Sequence, residues 1–293
     1  MKTVKFSPCK VNLMLAITGA RADGFHNLVS LVAPVNFGDE LSAELLAPGA
    51  REDFLECDAE GVPRDESNLV MKAASLFREA SGLSARFRFS LSKRVPAGAG
   101  LGGGSSNGAA ALEAVNELCG SPLGAGELEA LAGRLGSDCP LFLKKSPAVM
   151  RGRGEKVFEL FEGAAACVRR IKFVIFKPDF SISTAWAYSQ MRANPDDYFD
   201  ADLAEARLSE WLENPSVSGL PLINNMQIEV FKKFPALEIA LEDIRSRFRV
   251  QAMMSGSGSA CFAIVNDLDA GKIAELKRRV RSLLGESCFI ADA

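Results

Sequence analysis

The stretch "PAGAGLGGGSSNGAAALEAVNEL", Pro96 to Leu118, decides how this chain is read. From Gly98 to Gly104 every residue but Leu101 is Gly or Ala, and Ser105, Ser106 and Asn107 follow. Just upstream, Ala85, Phe87, Phe89 and Leu91 alternate with Arg86, Arg88, Ser90 and Ser92, the pattern of a half-buried strand. Just downstream, Ala111, Val115 and Leu118 share one face of a helix expected from about Ser106. Strand, glycine cradle and helix N-terminus together suit an anion. Glycine lets backbone N–H groups approach a ligand closely. The first helical turn offers unpaired N–H groups and a positive dipole end, and Ser105, Ser106 and Asn107 add side-chain donors. A plain strand-to-helix joint needs neither the glycine run nor Ser-Ser-Asn, so the segment predicts a phosphate loop. The literal G-x-G-x-x-G at Gly98, Gly100 and Gly103 does not indicate a dinucleotide site. That reading needs a following strand with a terminal acid. Here a second helix, "AGELEALAGRLG", comes next, and Glu113 and Glu117 lie inside the first. The loop lacks G-K-[ST], so it is not a Walker A sequence either.

The rest of the 293 residues bounds the answer. Hydrophobic content of 48% and charged content of 24% describe a globular chain with a sizeable core. A net charge of −3 gives no electrostatic case for nucleic acid or an anionic membrane. The one basic cluster, Lys277-Arg278-Arg279 with Arg281, falls on the expected wet face of a helix. Seven cysteines without a C-x-x-C pair argue against a disulfide framework or zinc site and for a reducing compartment, so a cytoplasmic location is expected. No metal-ligand cluster is predicted, and His26 is the only histidine. The N-terminal "MKTVKFSPCKVNLMLAITGARA" loosely imitates a signal peptide, but Lys10 and Asn12 interrupt the apolar run and Val11, Leu13, Leu15 and Ile17 alternate as a strand does.

Along the chain, residues 1–18 read as strand pairs, "RADGFHNL" as a turn, Ser67 to Gly82 as a helix opening on a capping residue and closing on Gly82, "IKFVIF" as strand, and Ala252 to Val265 as turn and strand before a last helix. Helices and strands mix without strict alternation, so the fold class is α+β with two lobes. The boundary is expected within residues 148–165, giving lobes 1–155 and 156–293.

"P-x-x-x-G-L-G-G-G-S-S-N" resembles the phosphate loop of the GHMP small-molecule kinases. "SPCKVNL" (Ser7 to Leu13) is similar to their first motif and "MSGSGSACFA" (Met254 to Ala263) to their third, in the expected order. "TGARADGFHNLVSLV", "GDEL" (Gly38 to Leu41), "ESNLVMKAA", "LGSDCPLFL" and "GRGEKV" narrow the resemblance to the branch that phosphorylates the 2-hydroxyl of a cytidine-diphosphate alcohol in the non-mevalonate isoprenoid route. The resemblance implies an N-terminal lobe like domain 2 of ribosomal protein S5, a ferredoxin-like C-terminal lobe, ATP with Mg²⁺, a small-molecule substrate, and a monomer or weak homodimer. It implies that Lys10 supplies a compact positive charge and that Asp138 takes or orients the acceptor proton. The bare sequence leaves a plain salt bridge or a capping aspartate equally open. For ATP it implies Asn68, Lys93 and the run Pro96, Ala97, Gly98, Ala99, Gly100, Leu101, Gly102, Gly103, Gly104, Ser105, Ser106 and Asn107. For the substrate it implies Asn12, Phe25, His26, Thr184, Tyr188, Gly256, Ser257 and Gly258, with His26 and its neighbours receiving cytosine. The alternatives are a homoserine- or mevalonate-type kinase of the same family, and a non-catalytic relative, which loss of Lys10, Asp138 or Ser-Ser-Asn would signal.

Several positions depart from the family pattern. Phe25 stands in place of the usual Tyr, keeping a stacking face and losing a hydroxyl. Cys9 and Gly108 stand in place of Ala, the latter expected to weaken a helical turn. Asn225 and Gln227 stand in place of Asp and Glu. Cys9, Cys139 and Cys261 border the proposed motifs and are expected to be small buried residues. Only an exposed Cys9 beside Lys10 would react, with ATP protecting.

Overall fold

The computed structural model describes residues Met1–Ala293, which form two compact units. The first comprises residues 1–9, 36–97 and 102–146, and the second residues 10–35, 98–101 and 147–293.

In the first unit, β4 (Phe87–Ser92) lies between two strands. It runs antiparallel to the end of β2 (His26–Leu45), with Leu41 opposite Leu91, and parallel to β3 (Phe54–Cys57), with Leu55 opposite Phe89. The alternation in β4 is realised: Phe87, Phe89 and Leu91 are buried while Arg88, Ser90 and Ser92 are exposed. The buried face meets α1 (Leu69–Ser81) through Val70, Ala74 and Phe77, and α2 (Gly103–Leu118) through Ala111, Leu112 and Val115. α3 (Ala125–Leu135) and α4 (Cys139–Lys144) complete the core with Leu131, Leu135 and Cys139. Phe77 and Phe87 meet edge-on with centroids 6.3 Å apart. Each such fully buried Phe contributes roughly 1.5–3 kcal/mol. The ends of α1 follow capping rules. Asn68 Oδ1 accepts from Val70 N at 2.9 Å, and Gly82 closes the helix at φ 70°. Gly108 faces α1: a Cβ there would lie 3.0 Å from Leu69 Cβ, so the glycine trades helix propensity for close helix packing.

One local expectation changes. α2 begins at Gly103, ahead of Ser106, because Gly102 at φ 70° turns the chain so that Ser106 N–H already reaches Gly102 O at 2.9 Å. Asp138 lies on the short turn between Gly136 and α4, and Pro140 sits in the first turn of that helix, where its missing N–H costs nothing.

β1 (Lys2–Ala20) is one uninterrupted strand, and in its second-unit part, from Lys10, Val11 to Leu15 are buried on both faces. It pairs parallel with β8 (Ile223–Asn224), Met14 opposite Ile223. Leu28–Val32 of β2 run antiparallel to β5 (Ala148–Gly152), which pairs with β6 (Lys156–Glu159). After α5 (Glu162–Arg169) comes β7 (Phe173–Lys177), then α6 (Thr184–Ala193), α7 (Ala201–Glu213), α8 (Met226–Lys233) and α9 (Pro235–Phe248). β9 (Ala252–Met254), β10 (Cys261–Ile264), α10 (Ala270–Leu284) and β11 (Phe289–Asp292) follow. The order β11-β7-β10-β9 makes an antiparallel sheet with β7 buried throughout. The basic cluster of α10 is partly neutralised within the chain: Arg279 binds Asp243 at 2.6 Å and Lys277 binds Asp292 at 2.6 Å. No helix is long and apolar enough to cross a membrane.

Candidate active site

In the second unit the first motif, the middle of the glycine loop and the third motif converge. Lys10 and Asn12 project from the same side of β1, as alternation requires. Lys10 is 5% exposed. Its ammonium donates to Asn12 Oδ1 and, at 3.0 Å, to Gly100 O. Asn12 Nδ2 donates to Ser30 Oγ at 2.9 Å, so the amide that receives Lys10 is itself held. Lys10 N donates to Leu101 O and Ala260 N to Ala99 O, fixing both sides of Gly100. A Cβ on Gly100 would sit 2.3 Å from Ser255 O, so here glycine is required for chain-to-chain approach. Asn224 Nδ2 donates to Met254 O and Gly256 O, both at 2.9 Å, and holds the third-motif turn open.

α6 joins this cluster to the aromatic one. Ser183 caps it, and Thr184 and Tyr188 lie one turn apart on one face. Thr184 Oγ1 and Ser257 Oγ are 2.9 Å apart. The ring of Tyr188 meets that of His26 with centroids 5.1 Å apart and planes tilted 36°. The core face of α6 is Ala187 and Met191, so Tyr188 and Trp186 are not core residues. His26 is buried, with Nε2 sealed and unpartnered. Burial lowers its pKa from the ordinary value, and the charge of Arg192 lowers it further. Phe25 remains 47% exposed, with the Arg153 guanidinium 4.7 Å from its ring centroid. The turn behind it is fixed by Arg21 and Asp23, and Asp23 Oδ1 accepts from Phe25 N at 3.1 Å. The arginine holds that carboxyl below its ordinary range.

In the first unit, the residues flanking the other end of the glycine loop share a buried network centred on Asp39. Its Oδ1 accepts from Arg94 N at 2.7 Å and Val95 N at 2.8 Å. Its Oδ2 accepts from Lys93 Nζ and, at 2.9 Å, from Asn107 Nδ2. Asn107 also donates to Ser7 Oγ, which donates to Ser106 Oγ, both at 2.8 Å. The first turn of α2 is thereby tied to the chain entering the loop. Lys93, Ser106 and Asn107 are held within this network, and Gly104 faces open space. Both side-chain groups of Asn68 are engaged locally, Nδ2 with Pro63 O at 2.6 Å. Asp138 is half-buried at the start of α4 and its side chain does not cap that helix, which removes the capping alternative.

Sequence reasoning passed over Asp39 as a site residue, although "GDEL" had marked its segment. It also passed over Ser30, Ser255 and Asn224, whose partners lie far along the chain.

Residues 68–145 match the model of the GHMP kinase N-terminal domain, and residues 202–282 that of the GHMP kinase C-terminal domain. The chain is 37% identical over 286 residues to a 4-diphosphocytidyl-2-C-methyl-D-erythritol kinase of Methylacidiphilum infernorum, covering 97% of this chain and 94% of that protein. The chain belongs to the 4-diphosphocytidyl-2-C-methyl-D-erythritol kinase family of GHMP kinases. A relative of the same name from Protochlamydia amoebophila is 38% identical over 88% of this chain and 83% of its own length. The crystal structure of a 4-(cytidine 5'-diphospho)-2C-methyl-D-erythritol kinase superposes with a TM-score of 0.76 at 31% identity, covering 99% of this chain and 98% of that one. A mevalonate kinase structure, at 14% identity and a TM-score of 0.70, shares the fold. The protein is a small-molecule kinase with the two-lobed α+β GHMP architecture.

Proposed function

We propose that the protein transfers the γ-phosphoryl group of ATP to the 2-hydroxyl of 4-diphosphocytidyl-2-C-methyl-D-erythritol, in the non-mevalonate route to isoprenoid precursors. The observation that carries this is the single face of α6, which reaches Ser257 of the third motif through Thr184 and His26 through Tyr188. One helix thus links the glycine-rich third motif to an aromatic cluster suited to a planar base.

The bare glycine loop and the first turn of α2 fit an ATP phosphate chain. Gly102 turns the backbone at φ 70°, and no side chain lies within 4 Å of where a Cβ on Gly104 would be. Pro96 to Asn107 would supply backbone and hydroxyl donors, with Lys93 and Asn68 framing them. Mg²⁺ comes with the nucleotide, held mainly by phosphate oxygens and water. Lys10 contributes a fixed positive charge where charge develops on the moving phosphoryl group. Its bonds to Asn12 and Gly100 hold that charge in place. Asp138 accepts or orients the hydroxyl proton as the new P–O bond forms and the β–γ bridge breaks. The acceptor is a tertiary alcohol and the transition state is loose, so orientation is the larger part of that role. Asn12, Thr184 and the Gly256-Ser257-Gly258 turn line the acceptor side, and Phe25, His26 and Tyr188 receive the cytosine. His26→Ala tests this: it should raise KM for the cytidyl substrate far more than KM for ATP. Equal effects on both count against the assignment.

A further inference from the structure

His26, Tyr188 and Tyr198 are the only histidine and the only two tyrosines in the chain, and they form one cluster. Tyr188 meets one side of the imidazole; Tyr198 approaches with its centroid 5.9 Å away and its plane tilted 59°. The backbone around Tyr198 is fixed on both sides. Phe199 N donates to Ile17 O at 2.9 Å. Asn225 Nδ2 donates to Asp197 O at 2.8 Å and to Ile17 O at 2.9 Å, while its Oδ1 accepts from Ile17 N at 2.8 Å. This explains the departure at position 225: an ionised aspartate could not donate to either carbonyl.

A phenylalanine at position 198 would give the same ring contact, so the hydroxyl needs a separate reason. Tyr198 Oη is buried without a hydrogen-bond partner, and so is Nε2 of His26. A buried polar atom left unpaired is costly, and these two atoms are complementary: a phenol donates, and one nitrogen of a neutral imidazole accepts. The two atoms belong to neighbouring rings whose centroids are 5.9 Å apart. Burial and Arg192 both lower the pKa of His26, so the ring is neutral near pH 7 and its tautomer remains to be set.

We propose that Tyr198 is a positioning residue for His26: its hydroxyl donates to Nε2, holds the imidazole in the tautomer protonated on Nδ1, and so gives the substrate base a fixed donor. The contact with the base rests on the function proposed above. The tautomer does not.

Two measurements test it. Nitrogen-15 multiple-bond NMR reads His26 without ambiguity, since the chain has one histidine. The wild-type protein should show a pyrrole-type Nδ1 and a pyridine-type Nε2, and Tyr198→Phe should shift the ring toward a mixture of tautomers. In the kinetic arm, Tyr198→Phe should raise KM for the cytidyl substrate about 2- to 10-fold, the range of one net hydrogen bond, with kcat and KM for ATP unchanged. A wild-type ring protonated on Nε2, or a spectrum unchanged in Tyr198→Phe, overturns the proposal. An altered tautomer with unchanged KM overturns its link to the substrate. The spectrum needs no substrate, so lack of turnover with the cytidyl compound would sink the proposed function and leave the tautomer result standing.

Discussion

Asp39→Asn should be among the most damaging isosteric changes available in the first unit. Asp39 is fully buried, its carboxylate accepts from four donors, and the Lys93 side chain it neutralises is 8% exposed. An asparagine can keep its carbonyl oxygen toward Arg94 N and Val95 N, or toward Lys93 and Asn107. Either way its NH₂ group faces two other donors, and the buried ammonium loses its counter-charge. Breaking one side of a buried ion pair costs about 3–5 kcal/mol. Lys93→Met should cost less, because the carboxylate keeps three donors. The double variant should be more stable than the sum of the singles implies, with a coupling of about 2 kcal/mol. Urea unfolding at unchanged m-value measures all three. The network also ties Asn107 and Ser106 to the loop entry, so the KM for ATP of folded Asp39→Asn should rise. Stability of Asp39→Asn within about 0.5 kcal/mol of wild type, or additivity of the two single changes, would refute the reasoning.

Other outcomes follow from the same geometry. Asp138→Asn should leave ATP binding nearly intact and lower kcat by about 10²–10⁴-fold, the usual range for a positioned acid–base group; normal turnover at saturating substrates removes Asp138 from the mechanism. Because the folded protein lowers the pKa of His26 below 6.5, the unfolded chain binds the extra proton more readily. That contribution to stability is present above pH 6.5 and lost as pH falls through the folded pKa, and His26→Gln should flatten the stability profile in that interval; a parallel profile refutes the shift. Cys9 and Cys261 are fully buried, and burial pushes the Cys139 thiol up to about 12. Mass mapping after brief alkylation should therefore find Cys119 and Cys167 modified before those three, with no protection by ATP; early labelling of Cys9 contradicts this.

What the sequence made legible was what local rules govern. The period of β4, the Gly82 stop of α1 and the loop-to-helix joint all follow from neighbours in the chain, whereas the N-cap of α1 falls at Asn68, one residue after Ser67. The motifs also named most residues that the second unit gathers around Lys10 and His26. The bonds that hold the residues of either unit were hidden because they span long separations: Asp39 with Lys93 in the first, Asn12 with Ser255 and Asn225 with Ile17 in the second. The burial of both faces of β1 hid behind a clean alternation, since Lys10 and Asn12 are polar and yet buried, paired with each other as ammonium and amide. Gly108 read as a weakened turn because propensity is local, whereas its neighbour Leu69 is on another helix.

The most direct test is ADP release by the purified protein with Mg-ATP, comparing 4-diphosphocytidyl-2-C-methyl-D-erythritol with homoserine and mevalonate. Turnover with the cytidyl compound alone is the expected result. Turnover with homoserine or mevalonate and none with the cytidyl compound would contradict the substrate assignment.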